Sequence, residues 1–515
     1  MGRCTPQPWN CCPADRSVFL CAPGRRPTVQ ARSSTSPKGN AVVLAAGVRW
    51  CVVLPGGGAD VGELSGLGLL TWVYRPGLVD RVVAACGRGE QRRRLLPARL
   101  VVYFVLALAL FSPAPYLEVM RHLVEGLRGQ GLLGEWHIPA KSSLFRARQR
   151  LGSEPLRVLF ATTAKPMGTQ ATSGCFWRGL RLLAMDGTCW DVADSPANEA
   201  AFGRSGNSRG SDKSGFPQVR MACLIEVGTH LVLDAELAGC RTGEVTLVSR
   251  LPRSCQSGEL VLADREFLGV PLWRAFTDSG ADLLWRVPAN RILPVERQLR
   301  DGSWISRIHA HTDPAHRDPV TVRVVAYQLT GTSREDENYR LVTSLLDAHR
   351  YPARQLAALY QERWEAEAVF AELKTQQRGA RIVLTSKTPD GILQQIWAHL
   401  LVHHALREPM VRTAATRDLD PDRISFTETL RSARRSVTLT PGSFPPELLV
   451  RALILLQHDL LERLLPHRRL RSQPRVVKRK MSNYRLKRAE HHTWPQPTRT
   501  GTQTVRVQRP QPTDP

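Results

Sequence analysis

No apolar run in this sequence is long enough to cross a bilayer. The longest, Leu100 to Phe111, has 12 residues, whereas a spanning helix needs about 20. It stops at Ser112-Pro113-Ala114-Pro115, where two prolines break a helix. The run therefore reads as a buried helix. The N-terminus also lacks an apolar stretch of signal-peptide length followed by a small-residue cleavage site. The expectation is a cytoplasmic chain with no membrane partner. Cysteine is scarce, 11 in 515 residues, which excludes a disulfide scaffold and fits a reducing compartment. Cys4, Cys11, Cys12 and Cys21 gather near the start without C-x-x-C spacing or a neighbouring histidine, so no zinc site is expected there. Acidic residues are few as well: 46 against 71 Lys and Arg, a net charge of 71 − 46 = +25. Such a surplus points to a polyanionic partner, most simply nucleic acid. On charge alone, a ribosome-bound or membrane-surface protein, or a basic tail on a neutral enzyme, stays open.

What is present is globular. Hydrophobic residues make up 42% of the chain, too many for a wholly disordered one. Residues 1–65 are rich in Pro, Gly, Ser and Arg without a sustained period and read as a disordered extension. Residues 66–165 read as a helical region, with helices at Leu100–Phe111 and Tyr116–Leu127 and a short pair, Ser142–Leu151 and Glu154–Phe160, around Gly152. Arg146, Arg148 and Arg150 on that pair suit either a small helical DNA-binding unit or solvated arginines on a bundle. From about residue 175 the pattern becomes β-rich. Strands are expected at Leu182–Met185, Gln218–Val227, His230–Leu237, Leu260–Ala263 and Asp282–Val287, with helices at Thr242–Leu251 and Val270–Asp278. That order predicts an α/β fold with a mixed sheet covered by helices. Val320–Leu329 and Tyr339–Leu345 read as strands of a β-rich insertion at about 290–350 within a region spanning 175–410. Long helices follow at Pro352–Lys374 and Ile392–Leu406. Residues 411–490 read as helical and basic, with a helix at Glu447–Leu465. Between Arg463 and Ala489 stand eleven Lys and Arg, Lys478, Arg479 and Lys480 among them, and no acid. Residues 491–515 are polar and Pro-rich and read as a disordered tail.

Two aspartates follow expected strands: Asp186 in Met185-Asp186-Gly187-Thr188 and Asp264 in Ala263-Asp264-Arg265. Polar groups at strand ends line the crevice of an open α/β sheet. Carboxylates there can hold hard divalent cations for phosphodiester chemistry; taken singly, each reads as well as a turn or cap residue. A third carboxylate would come from the helix at 352–374. At about 100° per residue from Tyr360, Arg363 falls at about 300°, Glu367 at about 340° and Lys374 at about 320°, one stripe at the edge of the apolar face. Glu365 and Glu372 fall at about 140° and 120°, on the far side, so Glu365→Ala is expected to be mild. A carboxylate among a Tyr, an Arg and a Lys suits a metal ligand beside phosphate-binding cations, and suits equally a salt-bridged surface stripe.

The segment Tyr360-Gln361-Glu362-Arg363-Trp364-Glu365-Ala366-Glu367, followed by Lys374, resembles the Y-(2)-R-(3)-E-(6)-K signature of IS4-family transposases at all four positions. The two aspartate motifs, Phe202-Gly203-Arg204, Phe216-Pro217-Gln218-Val219-Arg220 and Arg241-Thr242-Gly243-Glu244 are similar to that family's surroundings, over about residues 68 to 490. One departure is Glu266, where many members carry Gly. The resemblance implies an RNase H-like DDE core with the β-rich insertion between Asp264 and Glu367, and a helical N-terminal DNA-binding domain. It implies Asp186, Asp264 and Glu367 as catalytic ligands of two Mg²⁺ or Mn²⁺ ions. It further implies cut-and-paste transposition, in which the element end is cleaved and its 3′-OH attacks target DNA. Tyr360, Arg363 and Lys374 would hold the DNA backbone, with Arg146, Arg148, Arg150 and the basic tail binding elsewhere. If a hairpin forms, Trp285, Trp304 or Tyr339 could stack on a flipped base, although each also reads as a packing residue. The implied partners are the element's terminal inverted repeats and target DNA, with a homodimer in the synaptic complex, in a bacterial, nucleoid-associated setting. An inactive or repurposed DNA-binding copy, or a related nuclease without strand transfer, is the alternative.

Overall fold

The computed structural model describes residues 68–90, 95–128, 138–204, 215–288, 290–313, 315, 317–330, 338–438, 446–466, 476–477, 485–486, 488–492 and 504–510. Every described residue belongs to one compact unit, Ala59–Pro515. The expected extension at 1–65 and the basic residues Lys478, Arg479 and Lys480 lie outside the described residues.

The described chain opens with helices α1 (Leu69–Val73), α2 (Pro76–Ala85), α3 (Ala98–Leu110), α4 (Tyr116–Arg128), α5 (Lys141–Leu151) and α6 (Glu154–Thr163). Helix α3 is the apolar run noted above; ten of its residues are buried, and among the described residues no helix is long and apolar enough to cross a membrane. The sheet region holds β1 (Phe176–Trp177), β2 (Leu180–Asp191), α7 (Pro196–Phe202), β3 (Gln218–Glu226), β4 (Leu231–Gly239), α8 (Glu244–Val248), β5 (Glu259–Ala263), α9 (Val270–Asp278) and β6 (Asp282–Arg286). It continues with β7 (Arg297–Gln298), β8 (Trp304–Ile308), β9 (Val320–Leu329) and β10 (Tyr339–Thr343). Then come α10 (Ala353–Leu359), α11 (Glu365–Ala371), α12 (Pro389–Thr416), α13 (Phe426–Thr438) and α14 (Pro446–Glu462). Two short strands, β11 (Val476–Val477) and β12 (Arg485–Leu486), pair with each other, and β13 (Val505–Gln508) is the last element.

The main sheet runs β4-β3-β2-β5-β6-β10-β9-β8-β7, with β1 on β2 and β13 on β9. β2, β3 and β4 form an antiparallel meander, while β5 and β6 join β2 in parallel. Alternation along the strands serves both faces. Leu182, Ala184, Leu260, Leu262 and Leu284 enter one core, which also takes in the N-terminal helices and α12. Leu183, Met185, Val261, Ala263 and Trp285 enter the other, beneath α8 and α9. Parallel strands covered on both faces read as continuous apolar runs, which is why Leu260–Ala263 was visible in the sequence. The helices at 69–163 thus share one core with α12 and a face of the sheet.

Four expectations change. The strand expected at Leu182–Met185 runs on to Asp191, so Asp186 lies inside a strand and not after one. The β-rich insertion, which also contains the unexpected β8, extends the main sheet because β10 pairs antiparallel with β6. The stretch 352–374 is not one uniform α-helix: Tyr360–Trp364 tightens to 3₁₀ geometry and Glu372–Gln377 widens to a π-helix. The tail expected to be disordered contributes β13, paired with Tyr327, Gln328 and their neighbours on β9.

Candidate active site

The site begins at one rung of the sheet. Parallel pairing of β2 with β5 ends at Met185 opposite Ala263, so the next residues, Asp186 and Asp264, emerge side by side. Asp186 stays in its strand, opposite Cys223 of β3, and its Oδ1 accepts from the Gly187 N–H at 2.8 Å. Asp264 leaves the strand and caps the turn Arg265–Phe267, its Oδ1 accepting from the Arg265 N–H at 2.7 Å.

Arg363 and Glu367 come from the segment that packs across this rung. The Arg363 guanidinium lies 3.2 Å from Asp186 Oδ2, 4.0 Å from Asp264 Oδ2 and 3.9 Å from Glu367 Oε1. Three carboxylates from two strands and a helix therefore converge on one cation. The arginine side chain is 5% exposed, against 19% for Asp186, 33% for Asp264 and 42% for Glu367, so the acids line an opening with the arginine at its floor. Burial raises the Asp186 pKa, opposed by Arg363 and the Gly187 N–H and reinforced by Asp264. Burial also works against the Arg363 charge, yet Tyr360, Asp264, Asp186 and Glu367 hold its pKa above the ordinary guanidinium value.

Tyr360 and Lys374 fasten the same segment at either end. The buried Tyr360 hydroxyl donates to the Ala263 carbonyl at 3.1 Å, and burial pushes its pKa up. In a 3₁₀ turn side chains at i and i+3 eclipse, so Tyr360 and Arg363 reach the sheet together. The ammonium of Lys374 donates to Thr188 Oγ1 at 2.9 Å and to the Cys189 carbonyl at 2.7 Å; burial, then Arg378, lowers its pKa. In this structure both side chains bond the protein itself.

A fourth carboxylate escaped the sequence reading. Glu244, at the start of α8, sits over Gly187, where a Cβ would collide with its carboxylate. Burial raises its pKa, with Asp186 adding, Arg220 opposing, and Glu266 and Asp264 adding further. Its only signal was its place in Arg241-Thr242-Gly243-Glu244. Trp364, 41% exposed beneath the Arg363 guanidinium at 5.0 Å, was also missed.

Other expected residues fall elsewhere. Arg146 and Arg150 are exposed, but Arg148 is buried and donates to Gln394 Oε1 at 3.0 Å and the Gly391 carbonyl at 3.3 Å. Burial brings its pKa down to about 10. Successive alternate residues of a helix do not share a face, so Arg148 ties α5 to α12 and does not join a DNA-facing row. Trp285, Trp304 and Tyr339 are buried packing residues; Trp285 meets Trp273 edge-on, and Tyr339 stacks on Tyr327. Glu365 points away from the acids as the helical wheel required, but it is buried against His230, so its replacement is not expected to be mild. Among the described residues, His230, Glu365 and Asp422 also bring three possible metal-ligand atoms within 4.8 Å of one another.

Comparison with known proteins identifies the family. The chain matches the family Insertion element 4 transposase N-terminal over residues 64–161 and the family Transposase DDE domain over residues 177–404. It is 30% identical over 419 residues to Transposase InsG for insertion sequence element IS4 of Escherichia coli (strain K12), covering 79% of this chain and 91% of that one. To Putative transposase InsZ of the same organism it is 29% identical over 201 residues, 38% of this chain and 63% of that one. A solved structure, the piggyBac transposase synaptic complex with hairpin DNA, aligns at 12% identity and a TM-score of 0.38 over 79% of this chain and 85% of that one, too loosely to carry an argument. The enzyme is a DDE transposase. Within that class the chain belongs to the IS4 family, the transposases of insertion sequences.

Proposed function

We propose that Asp186, Asp264 and Glu367 are the DDE triad and that the chain carries out cut-and-paste transposition, cleaving the ends of its element and joining them to target DNA. The observation that carries this reading is the convergence of the three carboxylates on Arg363. The meander followed by two parallel strands, in the order β4-β3-β2-β5-β6, supports an RNase H-like core.

The donor set fits divalent cations: hard oxygen ligands, partly open to solvent, with a guanidinium balancing their charge. Asp186, Asp264 and Glu367 would hold two Mg²⁺ or Mn²⁺ ions. Bound there, such ions lower the pKa of the attacking water or 3′-hydroxyl and stabilise the leaving oxygen. The protein's own part is positioning. The shared rung of β2 and β5 sets the spacing of the aspartates, and the bonds of Tyr360 and Lys374 hold Glu367 over them. Arg363 carries a planar donor fork suited to a phosphate and lies beside the place where the scissile group would sit. Exposed Trp364 offers a face on which an unpaired base can stack. Arg146 and Arg150, with Lys478, Arg479 and Lys480, would add sequence-independent attraction to the DNA backbone. Two copies would act together on paired element ends.

The test is cleavage of linear DNA carrying the element's own ends, with Mg²⁺ supplied. Asp186→Ala, Asp264→Ala and Glu367→Ala should each abolish cleavage and retain end binding. Mg²⁺-dependent cleavage by Glu367→Ala at the wild-type rate would show the triad misassigned. Strand transfer into a target plasmid distinguishes a transposase from a nuclease of the same fold.

A further inference from the structure

Behind the proposed catalytic helix lies a second, largely buried set of ionisable groups. His230 Nε2 is 2.8 Å from Glu365 Oε2 and 3.3 Å from Asp422 Oδ1, while its Nδ1 is 3.3 Å from Glu372 Oε1. His403 Nε2 and Arg407 Nε reach Glu372 Oε2 at 2.9 and 3.0 Å. Arg407 also bonds Glu372 Oε1 and His230 Nδ1. His230, Glu365, Glu372, His403 and Arg407 are all buried.

We propose that this cluster is a positioning device for Glu367: it sets the rotation and height of the catalytic helix from behind, as Tyr360 and Lys374 do from the front. The inference rests on Glu367 being a catalytic ligand. Glu365 stands two residues before Glu367, and Glu372 stands five after it. Their partners come from three other places: the β3–β4 turn (His230), α12 (His403 and Arg407) and the 3₁₀ turn Pro421–Arg423 (Asp422).

Three observations favour positioning over simple packing. First, buried ion pairs are a poor route to stability, since well-packed apolar groups often serve as well; what directional charged bonds add is a single allowed geometry. Second, the helix does not set its own rotation. It passes from 3₁₀ to α to π geometry within 18 residues, Tyr360 to Gln377, and π segments are rare and fall frequently at functional sites. The π segment begins at Glu372 itself. Third, His230 sits in the β3–β4 turn in the left-handed region at φ 59°, a backbone conformation uncommon for a non-glycine residue. Gly228, two residues earlier, passes so close to the Ser173 carbonyl that a Cβ would collide, so the turn that presents His230 is itself wedged in place.

The experiment uses the full chain with linear DNA carrying the element's ends. Glu365→Gln keeps the shape and an acceptor for His230 but removes a charge. Asp422→Asn perturbs the same imidazole from an element far from the helix in sequence. Each variant should bind ends with wild-type affinity. Each should also cleave about 10–100-fold more slowly at limiting Mg²⁺, the usual cost of disturbing groups that orient metal ligands, and need a higher Mg²⁺ concentration for half-maximal rate. Raised Mg²⁺ or Mn²⁺ should recover part of the rate. Folded variants with the wild-type Mg²⁺ dependence, or rates that fall only in proportion to the folded fraction, would overturn the proposal. So would stoichiometric zinc in the purified chain that is lost in His230→Ala, since the cluster would then be a metal site. Failure of the underlying reading is read separately, from cleavage by Glu367→Ala.

Discussion

Arg363→Met removes the charge at the floor of the site and keeps most of the side-chain stem. At an effective dielectric of about 20, unit charges at the three observed separations attract by about 5, 4 and 4 kcal/mol. These are gross values. Burial of the guanidinium opposes them, and solvent screens Asp264 and Glu367, whose side chains are 33% and 42% exposed. Removing one partner from a buried pair costs about 3–5 kcal/mol, and the screening argues for the lower end, about 3 kcal/mol. At about 2 °C per kcal/mol for a large cooperative unit, that is a loss of about 6 °C in Tm. Thermal unfolding followed by circular dichroism would be run in EDTA and again in saturating Mg²⁺. In EDTA the variant leaves three acids facing one another without a cation. In Mg²⁺ both proteins are stabilised by the ion, and the gap changes only by the difference in their affinities; with the competing guanidinium gone the variant should bind Mg²⁺ more tightly, and about tenfold tighter binding closes about 1.4 kcal/mol. The gap between wild type and variant should therefore shrink from about 6 °C to about 3 °C. Cleavage should not return, because the phosphate-facing fork is gone. A gap of equal size in both conditions would refute the idea that Arg363 and the metal ions neutralise the same carboxylates.

Two further outcomes follow from particular contacts. Burial alone would raise the Glu372 pKa, but Arg407 and His230 outweigh it and hold the carboxyl well below its ordinary 4.5. A depressed folded-state pKa contributes stability above the unfolded value and loses it as pH falls through the folded one. The stability advantage of wild type over Glu372→Gln, from urea midpoints, should thus be constant above about pH 4.5 and shrink in stronger acid; an advantage that grows on acidification would contradict the assignment. Arg148→Ala should cost about 1–3 kcal/mol of stability, because Gln394 Oε1 loses a buried donor. Arg146→Ala and Arg150→Ala should leave stability unchanged while each lowers the salt dependence of DNA binding by about one unit; the reverse pattern would restore Arg148 to the DNA face.

Much of this architecture is legible in residue order because it rests on local periodicity. Gln218–Glu226 and Leu231–Gly239 are apolar-rich runs broken by Gly228-Thr229, so a hairpin is written there. Helix α9 appears at its expected limits because its apolar positions repeat with the helical period and a strand follows it directly. The strand end of Asp186 misled because the apolar pattern stops there, whereas the backbone keeps pairing with β3 through the polar residues up to Asp191. β13 went unseen because a strand of four residues at the end of a Pro-rich stretch has no core of its own; residues 326–329 of β9, beyond its pairing with β8, supply its partners. Arg148 and Glu365 were misjudged for one shared reason: a charged residue in an exposed-looking pattern gives no sign that another segment brings the matching charge or acceptor.

The amino-acid order by itself determined the chemistry on offer: two aspartates after apolar runs, a Tyr-Arg-Glu-Lys spacing near a helix, and a large positive excess. Those are properties of residue type and of intervals within single elements. Tertiary structure decided which of these groups meet. Asp186 and Asp264 are 78 residues apart in sequence, yet they share a rung because β2 and β5 pair in parallel. Arg363 stands among three acids, and Glu372 between Arg407 and two histidines, because packing on the two faces of one helix placed them there. Electrostatic interaction depends on distance through space, and that distance exists only once the sheet and helices have closed on one another.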